Sequence, residues 1–212
     1  MQSAKSSRPA SGAEHQFSHL WDMQHHTHNG RAPSHGFKVG IGTLAVTALY
    51  ESLLAKDMEK LDVDRCCAEW PDEGSWAARA RDLLGEGELA VGATRELSAK
   101  HSSPAQLSEQ LRLLKAVWPK LREQLGAQLL PLATLRQMLR DAGAPTEPEH
   151  IGITRDRLRL SYWRAFCIRR RFTVLDLAVR TGLLDTCLDE IFGPAGLWPT
   201  VVPSRISAKG QA

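Results

Sequence analysis

Apolar residues recur at helical spacings along most of this 212-residue chain, and nowhere in the strict alternation of a half-buried strand. The clearest case is Leu107, Leu111, Leu114 and Trp118, which predicts an amphipathic helix. It starts at Ser103-Pro104, with proline in the first turn, and runs up to Pro119; Leu121, Leu125 and Leu129 extend it beyond a kink. Upstream, Ser11-Gly-Ala-Glu14 has the form of a capping box, and the helix it opens carries His15, His19 and Asp22 on one face. Asn29-Gly30 and Ala32-Pro33 end that helix in a turn. His35-Gly36 opens a second helix through Val39, Ile41, Leu44, Ala45, Ala48, Leu49 and Leu53. Its apolar surface is so broad that the helix is expected to be central and buried, with Gly40 and Gly42 permitting close backbone approach.

From Asp57 to Gly74 the chain turns polar, and Trp70-Pro71-Asp72 reads as a surface loop. Short helices are predicted over 75–84, 88–100 and 134–142, followed by a loop over 146–153. Thr154 opens a longer helix with Leu158, Tyr162, Ala165 and Phe166 inward, ending in Arg169-Arg170-Arg171. Thr173 and Asp176 form a second capping box, starting a helix to Thr181-Gly182, and Leu183 to Phe192 makes the last one. There is no βαβ period and no glycine-rich nucleotide-binding fingerprint. The fold class is all-α: a helical domain over 1–198 and a disordered tail over 199–212.

Composition changes this picture little. Apolar residues make up 42% and charged residues 24%, as in an ordinary globular domain. A net charge of +3, spread along the chain, is too mild to argue for nucleic acid or an anionic membrane. No run approaches 18 apolar residues, and the first residues lack the apolar core of a secretory signal. Cys66, Cys67, Cys167 and Cys187 form no CxxC pair and read as buried, reduced thiols, consistent with a cytoplasmic protein.

The candidate chemistry is concentrated between Ser7 and Thr43, which holds six of the eight histidines, at positions 15, 19, 25, 26, 28 and 35. Imidazoles on adjacent helical turns can share one cation. His25, His26 and His28, beside the turn, read instead as a water-exposed helix end. Asp22 is either a local third ligand or a residue that caps or solvates the helix face. Arg8 is either a solvated loop arginine or a fork for a phosphate, and Arg169, Arg170 and Arg171 either complement a helix dipole or bind phosphate. A helix–turn–helix outline over 173–192 offers a rival, DNA-binding reading. Its second helix carries Asp185, Asp189 and Glu190 and no basic residue, so phosphate would repel it. A third reading is a non-catalytic helical interaction module whose exposed apolar faces drive association.

SRPASGAEHQFSH followed by SHGFKVGIGTL resembles the active-site region of sn-glycerol-1-phosphate dehydrogenases, within the iron-containing alcohol dehydrogenase superfamily. GAPTEPEHIGITRDRLRLSYWRAFCIRRRFTVLDLAVRTGLLD is similar to the C-terminal end of the bacterial branch. The resemblance implies the multi-helix C-terminal domain of a dehydroquinate synthase-like fold, with the N-terminal α/β domain absent from this chain. It implies His15 and His35 as ligands of a divalent metal (zinc, nickel or iron), and His19 facing substrate as the catalytic residue. Arg8 stands near enough in sequence to bind the substrate phosphate. The implied reaction reduces dihydroxyacetone phosphate to sn-glycerol 1-phosphate with NAD(P)H, which the missing domain would bind. The isolated chain is therefore expected to be inactive, and to partner either itself or a complementing N-terminal half.

Overall fold

A computed structural model describes residues 12–200. Among them the chain is all-α, with no strand beyond an isolated bridge between His28 and Arg31. The helices are α1 (Ala13–Met23), α2 (His35–Leu54), α3 (Val63–Ala68), α4 (Glu73–Leu84), α5 (Glu88–Lys100), α6 (Pro104–Gln128), α7 (Leu132–Asp141), α8 (Arg155–Cys167), α9 (Val174–Arg180) and α10 (Leu184–Phe192).

The second helix is the axis of the bundle. Ser34 caps it, its hydroxyl accepting from the Phe37 amide at 3.1 Å. Its apolar residues point almost all round, and α1, α7, α9 and α10 pack against it. By length and composition alone α2 is the one helix among the described residues that could cross a membrane; here the bundle covers it. Where α1 crosses α2, a methyl group on Gly42 would lie 2.6 Å from the Glu14 carbonyl oxygen. Only glycine lets the two backbones meet there. Gly40 plays no such part, since its nearest neighbour would be the flexible Leu139 side chain at 3.6 Å.

The eighth helix braces this pair from the other side. Tyr162 is wholly buried, its hydroxyl donating to the Ala45 carbonyl of α2 at 2.8 Å and its ring edge-on to Phe17 of α1 at 4.9 Å. Trp21 Nε1 donates to Ser161 Oγ at 3.0 Å. One turn beyond α1, His26 contacts the Ile151 carbonyl through Nε2 at 2.7 Å and Arg157 through Nδ1 at 2.8 Å. Both contacts are satisfied together when Nε2–H donates and Nδ1 accepts, so the buried imidazole is neutral. These pairings run α8 antiparallel to α1, which brings the end of α8 back to the start of α1. Behind it, Lys100 and Asp176 form a buried ion pair at 2.9 Å that joins α5 to α9. Removing one partner of such a pair leaves an uncompensated buried charge.

Several expectations need correction. His26 is buried between α1 and α8, not water-exposed, because a carbonyl and a guanidinium satisfy both ring nitrogens. The polar stretch after Asp57 contains α3, capped by Asp62, whose carboxylate accepts from the Arg65 amide at 3.0 Å. Trp70 is half-buried, its Nε1 donating to the Ser102 carbonyl at 2.9 Å. Pro119 lies inside one continuous α6 that runs to Gln128. Cys167 and Cys187 are buried, but Cys66 and Cys67 are partly exposed, and no disulfide forms. Pro199 and Thr200 belong to the packed structure: Arg155 donates to the Pro199 carbonyl at 2.6 Å, and the Thr200 amide donates to the Phe192 carbonyl at 2.9 Å. Residues 201–212, Ser11 and Arg8 lie outside the described residues. The capping box expected at Thr173 is present, and Ser103, expected only as a helix start before Pro104, forms another.

Two outcomes follow. Gly42→Ala should destabilise the fold by about 1–3 kcal/mol, as overpacking does, while Gly40→Ala is near neutral; urea unfolding of both variants checks this. Burial first, then the nearby Arg157 charge, depresses the His26 pKa against the opposing Ile151 hydrogen bond. A group whose folded pKa is lowered contributes stability that is present above about pH 6.5 and lost as pH falls toward its folded value. Wild-type stability should therefore decline through that window, and His26→Gln should be weaker at pH 7.5 but decline less.

Candidate functional site

The close crossing at Gly42 sets the first turns of α1 against the first turn of α2. Three imidazoles meet there. His15 and His35 have ring centres 5.1 Å apart, His15 and His19 6.0 Å, and His19 and His35 6.1 Å. Two imidazoles bound to one tetrahedral ion, with nitrogens about 2.0–2.1 Å from it, have ring centres roughly 5 Å apart. The His15–His35 pair matches that separation, and His19 stands further off. His35 is exposed, while His15 and His19 are partly exposed, so the triangle opens to solvent.

The surroundings hold the rings in place. Ser18, fully buried in the α1–α2 seam, has its hydroxyl 3.1 Å from His35 Nδ1. Glu14 is turned back on the helix start, accepting from the Gly12 amide at 2.8 Å, with its carboxylate 4.0 Å from His15 Nε2. Asp22 accepts from the ammonium of Lys38, whose side chain is almost entirely buried, and this ion pair ties the end of α1 to the start of α2. Asp22 thus pairs with Lys38 while staying exposed on the helix face. Its carboxylate also opposes the depression of the His19 pKa, which burial causes first, followed by the charge of Arg169 and the neighbouring imidazoles. His19 is therefore held neutral at physiological pH.

Arg169 reaches this site because α8 returns to the start of α1. The next residue, Arg170, is taken by Glu96 of α5 through its backbone amide at 2.9 Å and its guanidinium at 2.7 and 3.1 Å. That latch fixes the bend after α8 and leaves the exposed Arg169 charge where His19 feels it.

Among the described residues no group of three His, Cys, Asp or Glu side chains is arranged to hold a metal ion. The donor chemistry nevertheless fits two ligand positions, since both imidazoles are at the right separation and one has a hydrogen-bonded second nitrogen. Elsewhere the histidines of this stretch serve structure. His25 takes a positive φ of 51° at the helix end, and His28 crowds Gly152. The acidic side chains of α10 are occupied within the molecule, Asp185 by Trp163, Asp189 by Arg159 and Glu190 by Ser52 and Lys56. Sequence reasoning missed Ser18, Lys38 and the distinction between Arg169 and Arg170. A serine and a lysine one helical turn from predicted ligands were the only signals available.

No protein-family model matches the chain, and no solved structure matches it. Three curated proteins do, each a glycerol-1-phosphate dehydrogenase (NAD(P)+). The protein from Halalkalibacterium halodurans is 47% identical over 53 residues, 25% of this chain and 13% of that protein. The one from Bacillus licheniformis is 36% identical over 96 residues, 39% of this chain and 24% of that protein. The one from Methanococcus maripaludis is 41% identical over 61 residues, 28% of this chain and 18% of that protein. The matched segments thus span less than a quarter of each relative. Over 25–39% of its length, the chain is similar to glycerol-1-phosphate dehydrogenases.

Proposed function

We propose that these helices form the metal- and substrate-binding part of an NAD(P)-linked dehydrogenase that interconverts dihydroxyacetone phosphate and sn-glycerol 1-phosphate. The observation that carries this reading is the 5.1 Å approach of His15 and His35, with neutral His19 beside them. His15 and His35 would hold a divalent cation. Bound there, zinc, nickel or iron supplies the charge that polarises a carbonyl oxygen, and the nicotinamide supplies or takes the hydride.

The chain's own residues do the rest. In the oxidation direction His19, neutral and one turn along from His15, accepts the proton of the substrate hydroxyl; in reduction it returns that proton. Arg169, whose charge acts on His19, offers a guanidinium to the phosphate. Arg8, expected to bind the same phosphate, lies outside the described residues and remains a second candidate. Hydride transfer also needs a nucleotide-binding element, and the described helices contain no strand and no glycine-rich loop that would form one. Such an element, in the same polypeptide or a partner, completes the site.

The decisive assay is NAD(P)H-dependent reduction of dihydroxyacetone phosphate by a protein that carries these residues together with a nucleotide-binding domain. His15→Ala should abolish metal-dependent activity; undiminished activity sinks the ligand assignment. His19→Gln should lower kcat by about 10²–10⁴ with metal content unchanged. Arg169→Gln should raise KM for the phosphorylated substrate about tenfold, and equal KM values in variant and wild type would exclude Arg169 from phosphate binding.

A further inference from the structure

We propose that Ser18 is a positioning residue: its hydroxyl accepts from His35 Nδ1–H, and so leaves the Nε2 lone pair of His35 aimed out of the helix seam for a metal. This rests on the reading of His35 as a ligand but names a residue that reading does not require.

Ser18 is fully inaccessible on α1, whose other buried residues are Ala13, Gln16, Phe17, Leu20 and Trp21. Alanine would fill that space as well and is the better helix former, while a buried hydroxyl without a partner costs about 1–3 kcal/mol. The partner the hydroxyl has is the ring of His35, on the facing helix, at 3.1 Å. His35 itself is exposed, so nothing in the core demands that contact; the ring would be solvated equally well without it.

What the contact does is distinguish the two ring nitrogens. A neutral imidazole carries one proton, and the nitrogen that donates leaves the other as the only possible ligand atom. An imidazole free in water prefers the Nε2–H form, which is the wrong one for an ion outside the seam. With Nδ1–H donating to Ser18, the preference is reversed before any ion arrives. Ligand imidazoles elsewhere are oriented in the same way, by an acceptor on the nitrogen away from the metal. Gly42 makes the geometry available: by letting α2 approach the Glu14 carbonyl, it brings Ser18 within reach of His35.

The test has two readouts on the 212-residue chain. Long-range ¹H–¹⁵N NMR above the titration range assigns the His35 tautomer without metal. Wild type should show Nδ1–H, and Ser18→Ala should return His35 to the Nε2–H form. Calorimetric titration with zinc should then show about a ten- to hundredfold loss of affinity in Ser18→Ala, and no further loss when Ser18→Ala is added to His35→Ala. An Nε2–H tautomer in wild type overturns the proposal. So does unchanged zinc affinity in Ser18→Ala where His35→Ala loses it. Zinc binding that survives both His15→Ala and His35→Ala overturns instead the ligand reading beneath it, and the tautomer still decides whether Ser18 accepts.

Discussion

The backbone contact between α1 and α2 at Gly42 governs the site. Helices normally pack with side chains between them, which keeps their axes 8–10 Å apart. Here the space for a side chain is occupied by the Glu14 carbonyl, one residue before His15. Because this close approach lies two turns into α2 and at the first turn of α1, the antiparallel helices bring His15 and His19 of α1 alongside His35 at the start of α2. The Lys38–Asp22 ion pair joins the same two helices at the other end of the α1 face, and Tyr162 pins α2 to α8 behind them.

That arrangement sets the electrostatics as well as the geometry. Partial burial first, then the Arg169 charge and the two neighbouring imidazoles, hold the His19 pKa below its ordinary value. Only unprotonated imidazole has a lone pair to give a metal. The cation placed beside it, Arg169, comes from the other end of the chain. It arrives there through the antiparallel course of α8 and the Glu96 latch on Arg170. The site is thus assembled from elements whose stability lies in the bundle core.

Much of this was legible in the sequence, for local reasons. The all-round apolarity of α2 marked it as central, and the caps at Ser103 and Thr173 sit where short-range chemistry placed them. His15, His19 and His35 stood out by spacing and by family resemblance. What escaped notice depends on distant partners. His26 looks like any other member of a histidine-rich turn until Ile151, 125 residues away, accepts from it. That Arg170 turns to Glu96 while the Arg169 charge acts on His19 depends on a residue 74 positions from Arg170. Helix α3 has only six residues and one buried side chain, too little to leave a period. Ser18 reads as a polar surface residue in a helix, because nothing local reveals that a facing ring needs its oxygen.

The central claim is that His15 and His35 share a metal ion. X-ray absorption at the zinc edge of the zinc-loaded chain tests it most directly. The expected spectrum has two imidazole nitrogens at about 2.0–2.1 Å, with oxygen filling the remaining positions, and loses the imidazole signature when both residues are replaced by alanine. A spectrum dominated by sulfur from Cys66 and Cys67, or an imidazole signature unchanged in the double variant, would contradict it.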